Sequence, residues 1–88
     1  MILRFTKSFQ KDFERRIEGT RMESELVVLL ELLKAGQPLP SGYRDHALVG
    51  NWKGYRDCHL RGDMVVIYRV EGEVITLTRI NTHSELFG

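Results

Sequence analysis

The start of the chain combines a short apolar segment with an apolar repeat of helical period. Residues 1–5 are mostly apolar and have the character of a β-strand. Thr6 or Ser8 can then cap a helix, which Gly19 is expected to stop. The apolar residues of this helix recur every four positions, at Phe9, Phe13 and Ile17. The pattern therefore predicts a strand followed by a helix with one buried face.

A second helix is predicted to begin near Arg21 and to end at Gly36, just before Pro38. Its apolar residues form one stripe, made of Met22, Leu26, Leu29, Leu30 and Leu33. Only a short turn separates the two helices, and each has one apolar face. They are therefore expected to form a helical hairpin.

After Gly36 the apolar pattern becomes that of β-strands. Residues 37–42 are predicted to be loop because they include two prolines, and residues 43–53 are polar and irregular. Three strand-like segments follow, separated by glycine-containing turns, at residues 55–60, 64–70 and 73–80. These segments are predicted to be three consecutive antiparallel strands.

The tail of the chain has room for one helical turn, with Asn81 or Thr82 as its cap. The order of elements predicts an α+β fold, in which a helical hairpin packs on one face of a small antiparallel β-sheet. The first strand is expected to join that sheet at an edge. The other face stays open, so functional side chains are expected to gather there. Along residues 55–60, strand alternation places Tyr55, Asp57 and His59 on one face.

Size and composition restrict the class of protein. The 88 residues leave room for a single domain, 1–88, and the 42% hydrophobic and 28% charged residues are typical of a globular chain. No apolar run approaches the ~20 residues of a membrane helix, and no signal peptide is visible. The single cysteine, Cys58, excludes an intramolecular disulfide and favours a cytoplasmic location.

The formal net charge of +1 gives no general signal of nucleic-acid binding. Cations nevertheless outnumber acids between residues 43 and 61. The cations are Arg44, Lys53, Arg56 and Arg61, and the acids are Asp45 and Asp57. This local excess is typical either of a solvated face or of a phosphate-binding surface, and the charge pattern leaves both interpretations open.

Three histidines are the first candidates for proton transfer, because the unperturbed pKa of imidazole lies nearest to neutrality. They are His46, His59 and His83. The predicted topology allows them to converge at one end of the sheet, near Asp63, although a lone histidine in a loop is commonly a plain surface residue. No pair has the close spacing of a metal-binding motif, and Cys58 should face the core, so we expect neither metal nor cofactor.

Residues 52–56 interleave two aromatic rings with two cations around a glycine. Such a segment suits RNA, because Trp52 can stack on a base while Lys53 and Arg56 neutralise phosphates. The alternative is that Trp52 and Tyr55 cover the edge of the core and the two cations are simply solvated.

Two further positions are unusual. Arg79 lies within a predicted strand, where a cation needs solvent, a carboxylate or a bound phosphate. Phe87 is one residue from the end, so its ring is either docked on the core or available for stacking.

Histidines, an aspartate and nearby cations fit the metal-free cleavage of a phosphodiester bond. A base would remove the proton from a ribose 2′-hydroxyl, cations would stabilise the phosphorane, and an acid would protonate the leaving 5′-oxygen. The substrate would be RNA, because DNA lacks the internal nucleophile.

Three motifs in the second half of the chain coincide at specific spacings. They are D-H-x-L at Asp45–Leu48, W-K-G-Y-R-D-x-H at Trp52–His59 and T-H-x-x-L-F-G at Thr82–Gly88. Together with the chain length and the helical hairpin, they resemble the YafQ-type branch of the RelE/ParE toxin superfamily. The resemblance covers essentially the whole chain and implies the RelE-like fold, with a helical hairpin on one face of a small antiparallel sheet.

The resemblance also implies a function, that of a ribosome-dependent messenger-RNA endoribonuclease that inhibits translation. The positions that match the branch's active site are His46, His59, Asp63, His83 and Phe87. His83 is expected to transfer a proton at the scissile phosphodiester, with His46 and His59 assisting or positioning the phosphate. Asp63 would orient or tune a histidine, and Phe87 would stack on a base. Arg79 matches a position at which superfamily members often contact phosphate.

The partners implied are a cognate antitoxin protein, the ribosome and messenger RNA, with no membrane. We expect the antitoxin to form a heteromeric complex by wrapping the helical hairpin or an exposed sheet edge. Two other functions remain open. A gyrase-directed toxin of the ParE type would share the fold without needing the histidines, and a non-catalytic module would bind RNA or protein through residues 52–56.

Overall fold

The computed structural model describes every residue from Met1 to Gly88 and contains five strands and three helices. The strands are β1 (Ile2–Phe5), β2 (His46–Ala47), β3 (Arg56–Arg61), β4 (Met64–Glu71) and β5 (Val74–Thr82). The helices are α1 (Lys7–Arg16), α2 (Met22–Ala35) and α3 (His83–Phe87), with short 3-10 turns at Ser41–Tyr43 and Gly50–Trp52. The α+β fold predicted from the sequence is confirmed.

All five strands belong to one sheet in the order β1-β5-β4-β3-β2. β1 lies at an edge, as predicted, and runs parallel to β5 with Ile2 opposite Val74 and Phe5 opposite Leu77. The other neighbouring pairs are antiparallel. The sheet is therefore antiparallel except at the β1 edge.

The core lies between the helical hairpin and one face of the sheet. The helical hairpin, with the turn between its helices, contributes Phe9, Ile17, Leu26, Leu29 and Leu33, and the strands contribute Cys58, Met64, Val66, Tyr68, Ile75, Leu77 and Ile80. Burial of Cys58 on this helix-facing side agrees with the expectation from strand alternation. The opposite face was expected to stay open, but its central side chains, Asp57, Val65 and Ile67, are buried as well.

Local details at the helix ends refine the sequence interpretation. Thr6, rather than Ser8, caps α1, because its hydroxyl accepts a hydrogen bond from Phe9 N at 3.0 Å. The helix ends at Arg16, before the predicted stop at Gly19. Thr82 caps α3 by accepting from Glu85 N at 3.3 Å. The tail therefore forms the single helical turn that was predicted.

Strand β2 was not predicted, since residues 43–53 read as irregular. It has only two residues and pairs antiparallel with β3, placing His46 opposite Asp57 and Ala47 opposite Arg56. This short pairing brings the first histidine to the edge of the sheet and next to β3.

The register of β3, β4 and β5 decides which side chains share the face away from the helices. On the neighbouring strands β3 and β4, Asp57 lies opposite Ile67 and His59 lies opposite Val65. Val65 and Ile67 are fully buried but do not belong to the core beneath the helices.

None of the helices is long and apolar enough to cross a membrane.

Candidate active site

The three histidines come from three different elements and lie around Asp57, and His59 also lines a cleft beside Glu25 and Val28 of α2. His46 lies in β2, His59 in β3, and His83 opens α3 directly after β5. All three imidazoles lie close enough to the carboxyl group of Asp57 for their positive charge to lower its pKa. The structure thus brings together the histidines that the sequence singled out.

His46 is held at one ring nitrogen. Its Nδ1 lies 2.9 Å from the carbonyl oxygen of Arg44 and 3.1 Å from Oδ1 of Asp57. Both neighbours are acceptors, so Nδ1 carries the proton in neutral imidazole and donates it to the Arg44 carbonyl. The lone pair of Nε2 is then free, and the side chain is more than half exposed. This arrangement suits a general base.

Asp57 is a buried carboxylate beneath these exposed rings. Only 2% of the residue is accessible, and its Oδ1 accepts no hydrogen bond although His46 Nδ1 is close. Burial raises the pKa of the Asp57 carboxyl group, and the charges of His46, His59 and His83 oppose that shift.

Sequence reasoning did not select Asp57 as a functional residue, although a signal was present. Strand alternation places Asp57 and His59 on one face of residues 55–60. What the sequence does not show is that β2 covers this position and turns it into a buried charge, with His46 opposite.

Asp63 occupies the turn between β3 and β4 and is exposed. Its backbone carbonyl accepts a hydrogen bond from His83 N at 2.8 Å. Its carboxylate makes no ion pair or hydrogen bond with a histidine in this structure. The residue is therefore close to His83 through its backbone, while Asp57 is the carboxylate that lies against an imidazole.

An aromatic cluster stands beside His83. The Phe87 ring lies 4.8 Å from the His83 ring between centroids and 6.4 Å from Trp52, which in turn lies 5.3 Å from Tyr55. Trp52 and Phe87 are half-buried, so each keeps part of its ring accessible. The cluster positions flat apolar surface next to the histidines, where a nucleobase can stack.

Comparison with known families supports the resemblance that the three sequence motifs indicated. The model of the YafQ toxin family, described as a bacterial toxin of type II toxin–antitoxin systems, matches residues 1–88. The chain belongs to the YafQ family. The mRNA interferase toxin YafQ of Escherichia coli is 34% identical over 87 residues, which cover 98% of this chain and 95% of the relative.

Solved structures of bacterial toxins have the same fold. The toxin in the DinJ–YafQ toxin–antitoxin complex of Escherichia coli matches with a TM-score of 0.86 at 34% identity, covering 98% of this chain and 96% of that one. A copper-bound mutant toxin from Helicobacter pylori matches with a TM-score of 0.89 at 39% identity over 99% of both chains.

The copper of the Helicobacter pylori structure has no matching donor set in this YafQ-family chain. No three His, Cys, Asp or Glu side chains form a group that could hold a metal ion.

The basic residues proposed for RNA contact differ in how free they are. Arg56 is paired with Asp45 at 3.1 Å, and Arg79 with Asp12 at 2.7 Å. Hydrogen bonds to those carboxylates raise the pKa of both guanidinium groups. Lys53 is exposed and makes no ion pair with any other residue of the chain. Of these three, Lys53 is the cation most available to a phosphate.

Cys58 is excluded as a nucleophile. It is fully buried under the helices, and burial raises the pKa of its thiol to about 12. The reactive form of cysteine is the thiolate. Cys58 is therefore a residue of the core.

Proposed function

We propose that the chain is the toxin of a type II toxin–antitoxin system and cleaves messenger RNA at the ribosome. The observation that carries this proposal is the meeting of three imidazoles around buried Asp57, beside an accessible aromatic cluster. The Escherichia coli relative, an mRNA interferase toxin, supports the same activity. Translating ribosomes reside in the cytoplasm, where a single-domain protein of 88 residues would act.

His46 serves as the general base. Its free Nε2 takes the proton of a ribose 2′-hydroxyl, and the 2′-oxygen then attacks the adjacent phosphorus. The imidazolium formed in this step lies 3.1 Å from the carboxylate of Asp57, which stabilises the new charge. Asp57 thus contributes most when the proton has moved, as transition-state stabilisation requires.

His83 serves as the general acid. It is exposed at the start of α3, and in its protonated form it gives a proton to the 5′-oxygen as the phosphorus–oxygen bond breaks. The products are a 2′,3′-cyclic phosphate and a 5′-hydroxyl. The Phe87 ring beside His83 would hold a base in a stacked position during this transfer.

The remaining site residues stabilise charge and position the substrate. His59 and Lys53 face the negative charge of the phosphorane, and the exposed edge of the Arg79 guanidinium contacts a flanking phosphate. Arg56, which pairs with Asp45 on the helix-facing side of the sheet, takes no part in this contact. Trp52 adds a second stacking surface next to Phe87. Asp63 supports the site from the turn by holding His83 N through its carbonyl oxygen.

A cognate antitoxin would bind the hairpin on the opposite side of the molecule. Between α1 and α2 lies a groove of about 420 Å³ with an apolar floor and walls. Its apolar lining consists of Phe5, Phe9, Phe13, Leu26, Val27 and Leu30, and its rim carries Glu14, Glu18 and Glu23. An apolar helix with basic flanks fits both features. Relatives of this family form such heteromeric complexes with the DinJ antitoxin.

The proposed activity is tested by expressing the chain alone in a bacterium and mapping transcript cleavage by primer extension. We expect growth arrest and cuts within translated messages, and no cuts in purified RNA without ribosomes. His83→Gln and His46→Gln should each reduce cleavage by roughly 10²-fold or more. Lys7→Gln, an exposed change on α1, is the control and should cleave normally.

Two results would contradict the proposal. Full toxicity after replacement of all three histidines would favour a gyrase-directed toxin. RNA binding that weakens steeply with salt, without cleavage on ribosomes, would favour a non-catalytic binding module.

A further inference from the structure

Asp45 precedes His46 in the chain but faces the other side of the sheet. In the β2–β3–β4 ladder, Arg56 is paired with Tyr68, and Tyr68 belongs to the core beneath the helices. His46 is paired with Asp57 on the opposite face. Asp45 reaches the helix-facing side. The adjacent residues Asp45 and His46 therefore contact different groups, on opposite faces of the sheet.

The helix-facing cluster consists of one acceptor and two donors. The Tyr68 hydroxyl donates a short hydrogen bond to Oδ1 of Asp45. The Arg56 guanidinium donates to both carboxylate oxygens, from Nε at 3.4 Å and from Nη2 at 3.1 Å. We call these three residues, Asp45, Arg56 and Tyr68, the clamp. A carboxylate held by a guanidinium and a phenol has little rotational freedom.

The clamp is anchored at a buried residue of the central strand. Only 3% of Tyr68 is accessible, and it lies in the central strand β4. Burial, followed by the hydrogen bond to Asp45, raises the pKa of the Tyr68 hydroxyl, so it remains a proton donor at all physiological pH values. The position of Asp45 is thereby fixed relative to the sheet.

Strand β2 needs such an anchor. It pairs with β3 over two residues only, at the edge of the sheet, whereas strands usually have about five or six. Arg44, just before the clamp, has a left-handed backbone (φ 52°), which is uncommon for a residue other than glycine. The carbonyl oxygen of Arg44 accepts the hydrogen bond from His46 Nδ1. Without support the segment that orients His46 would be free to move.

We propose that Asp45, fixed by Tyr68 and Arg56, is a positioning residue that holds His46 in its catalytic orientation from the opposite face of the sheet. The inference rests on the role of His46 in the proposed cleavage reaction. Its structural part, the orientation of the imidazole, can be measured without any reaction.

The test uses the full chain, freed from its antitoxin by denaturation and refolding, with three changes in the clamp. Tyr68→Phe removes only the hydroxyl, Asp45→Ala removes the acceptor, and Asp45→Asn keeps an acceptor oxygen. Tyr43→Phe is the matched control, because the Tyr43 ring packs against the core in the same segment and its hydroxyl makes no hydrogen bond. Thermal unfolding verifies that each variant is folded.

Two readouts are compared. Imidazole nitrogen chemical shifts report whether the proton of His46 stays on Nδ1, and single-turnover cleavage on programmed ribosomes gives the maximal rate and the half-saturating concentration. We expect Tyr68→Phe and Asp45→Ala to move the His46 signals towards a mixture of tautomers and to leave His59 and His83 unchanged. The maximal rate should fall about tenfold or more, with less than a twofold change in half-saturation. Asp45→Asn should restore part of both properties.

The outcomes separate this inference from the proposed function. If Tyr68→Phe matches Tyr43→Phe in the His46 signals, the inference is overturned, whatever happens to the rate. If the His46 signals shift in the clamp variants but no chain cleaves RNA, the wild type included, positioning is supported and the proposed function fails.

Discussion

At the scale of single residues, Asp57 combines a proposed role in cleavage with a cost in stability. It lies among three imidazoles, yet its Oδ1 accepts no hydrogen bond. Because burial raises its pKa above the unfolded value, the ionised form is less favourable in the folded chain than in the unfolded one. An ionised Asp57 therefore lowers the free energy of unfolding at neutral pH.

The substitution Asp57→Asn should separate the two effects. Cleavage should fall by roughly 10²-fold, because the imidazolium of His46 loses its counter-charge. The folded state should become more stable at pH 7, since the unfavourable ionisation is removed. This gain should shrink as the pH falls through the raised pKa and vanish below the unfolded value, about 3.9. Thermal melts at several pH values measure it, and equal stability of both chains at pH 7 would contradict the argument.

Cys58 gives a simpler test at the same scale. With its pKa raised to about 12 by burial, almost no thiolate is present at pH 8. We expect a thiol reagent to react slowly with the native chain and at the ordinary rate after unfolding in denaturant. Rapid reaction of the native chain would show that the helical hairpin opens readily over β3.

The sequence singled out the three histidines but not the carboxylates that contact the candidate site residues. The spacing of His46, His59 and His83 within the three motifs was sufficient to select them. The contribution of Asp57 depends on burial by a strand from a distant segment, which no local pattern contains. The partners of Arg56 and Arg79 were missed for the same reason, because Asp45 and Asp12 approach them through the fold.

At the scale of elements, α1 is fastened to β5 at two points. The hydroxyl of Thr6, which caps the helix, donates to the carbonyl of Thr78 at 2.7 Å. The register of β5 against β4 shifts around this residue, so Thr78 is an extra residue in the strand. β1 covers β5 only from Val74 to Leu77. Beyond that point α1 takes over the open edge.

Asp12 is the second point of attachment. Its side chain is 6% exposed and accepts hydrogen bonds from Ile80 N at 3.1 Å, from Asn81 at 3.4 Å and from the Arg79 guanidinium at 2.7 and 3.1 Å. A single carboxylate thus satisfies a strand-edge amide and neutralises a half-buried cation. Its loss would leave both without a partner.

We expect Asp12→Ala to lower the free energy of unfolding by about 2–4 kcal/mol. Glu14→Ala, an exposed change on the same helix, should alter it by about 0.5 kcal/mol or less. Urea unfolding followed by circular dichroism provides both values. A cost for Asp12→Ala as small as that of Glu14→Ala would show that solvent replaces the lost contacts and that α1 is held by its apolar face alone.

The long elements were predictable from the sequence because their apolar periods extend over several turns or residue pairs. β2 was not, since two residues carry no period and Arg44 enters the segment with a left-handed backbone. The parallel direction of β1 was also beyond the pattern, because alternation gives the face of a strand and not its direction. These two features depend on contacts between distant parts of the chain.

At the scale of the whole molecule, the two faces of the sheet carry different groups. The histidines and the aromatic cluster lie on one face, and the hairpin with its acidic-rimmed groove covers the other. An antitoxin bound in the groove would leave the histidines uncovered and would act by preventing entry into the ribosome. Neutralisation and catalysis should then be separable by mutation.

Two neighbouring valines of α2 provide the test. Val27 and Val28 are each 55% exposed, but only Val27 lines the groove. A carboxylate at position 27 would lie against an apolar side chain of the antitoxin. It would also place a charge within the apolar lining, which the acidic rim leaves uncharged. We expect Val27→Glu to remain toxic and to weaken antitoxin binding at least tenfold, about 1.4 kcal/mol, so that co-expressed antitoxin no longer restores growth. Val28→Glu should remain fully neutralised. Equal neutralisation of both variants would place the antitoxin elsewhere, with the exposed sheet edge as the surface to examine.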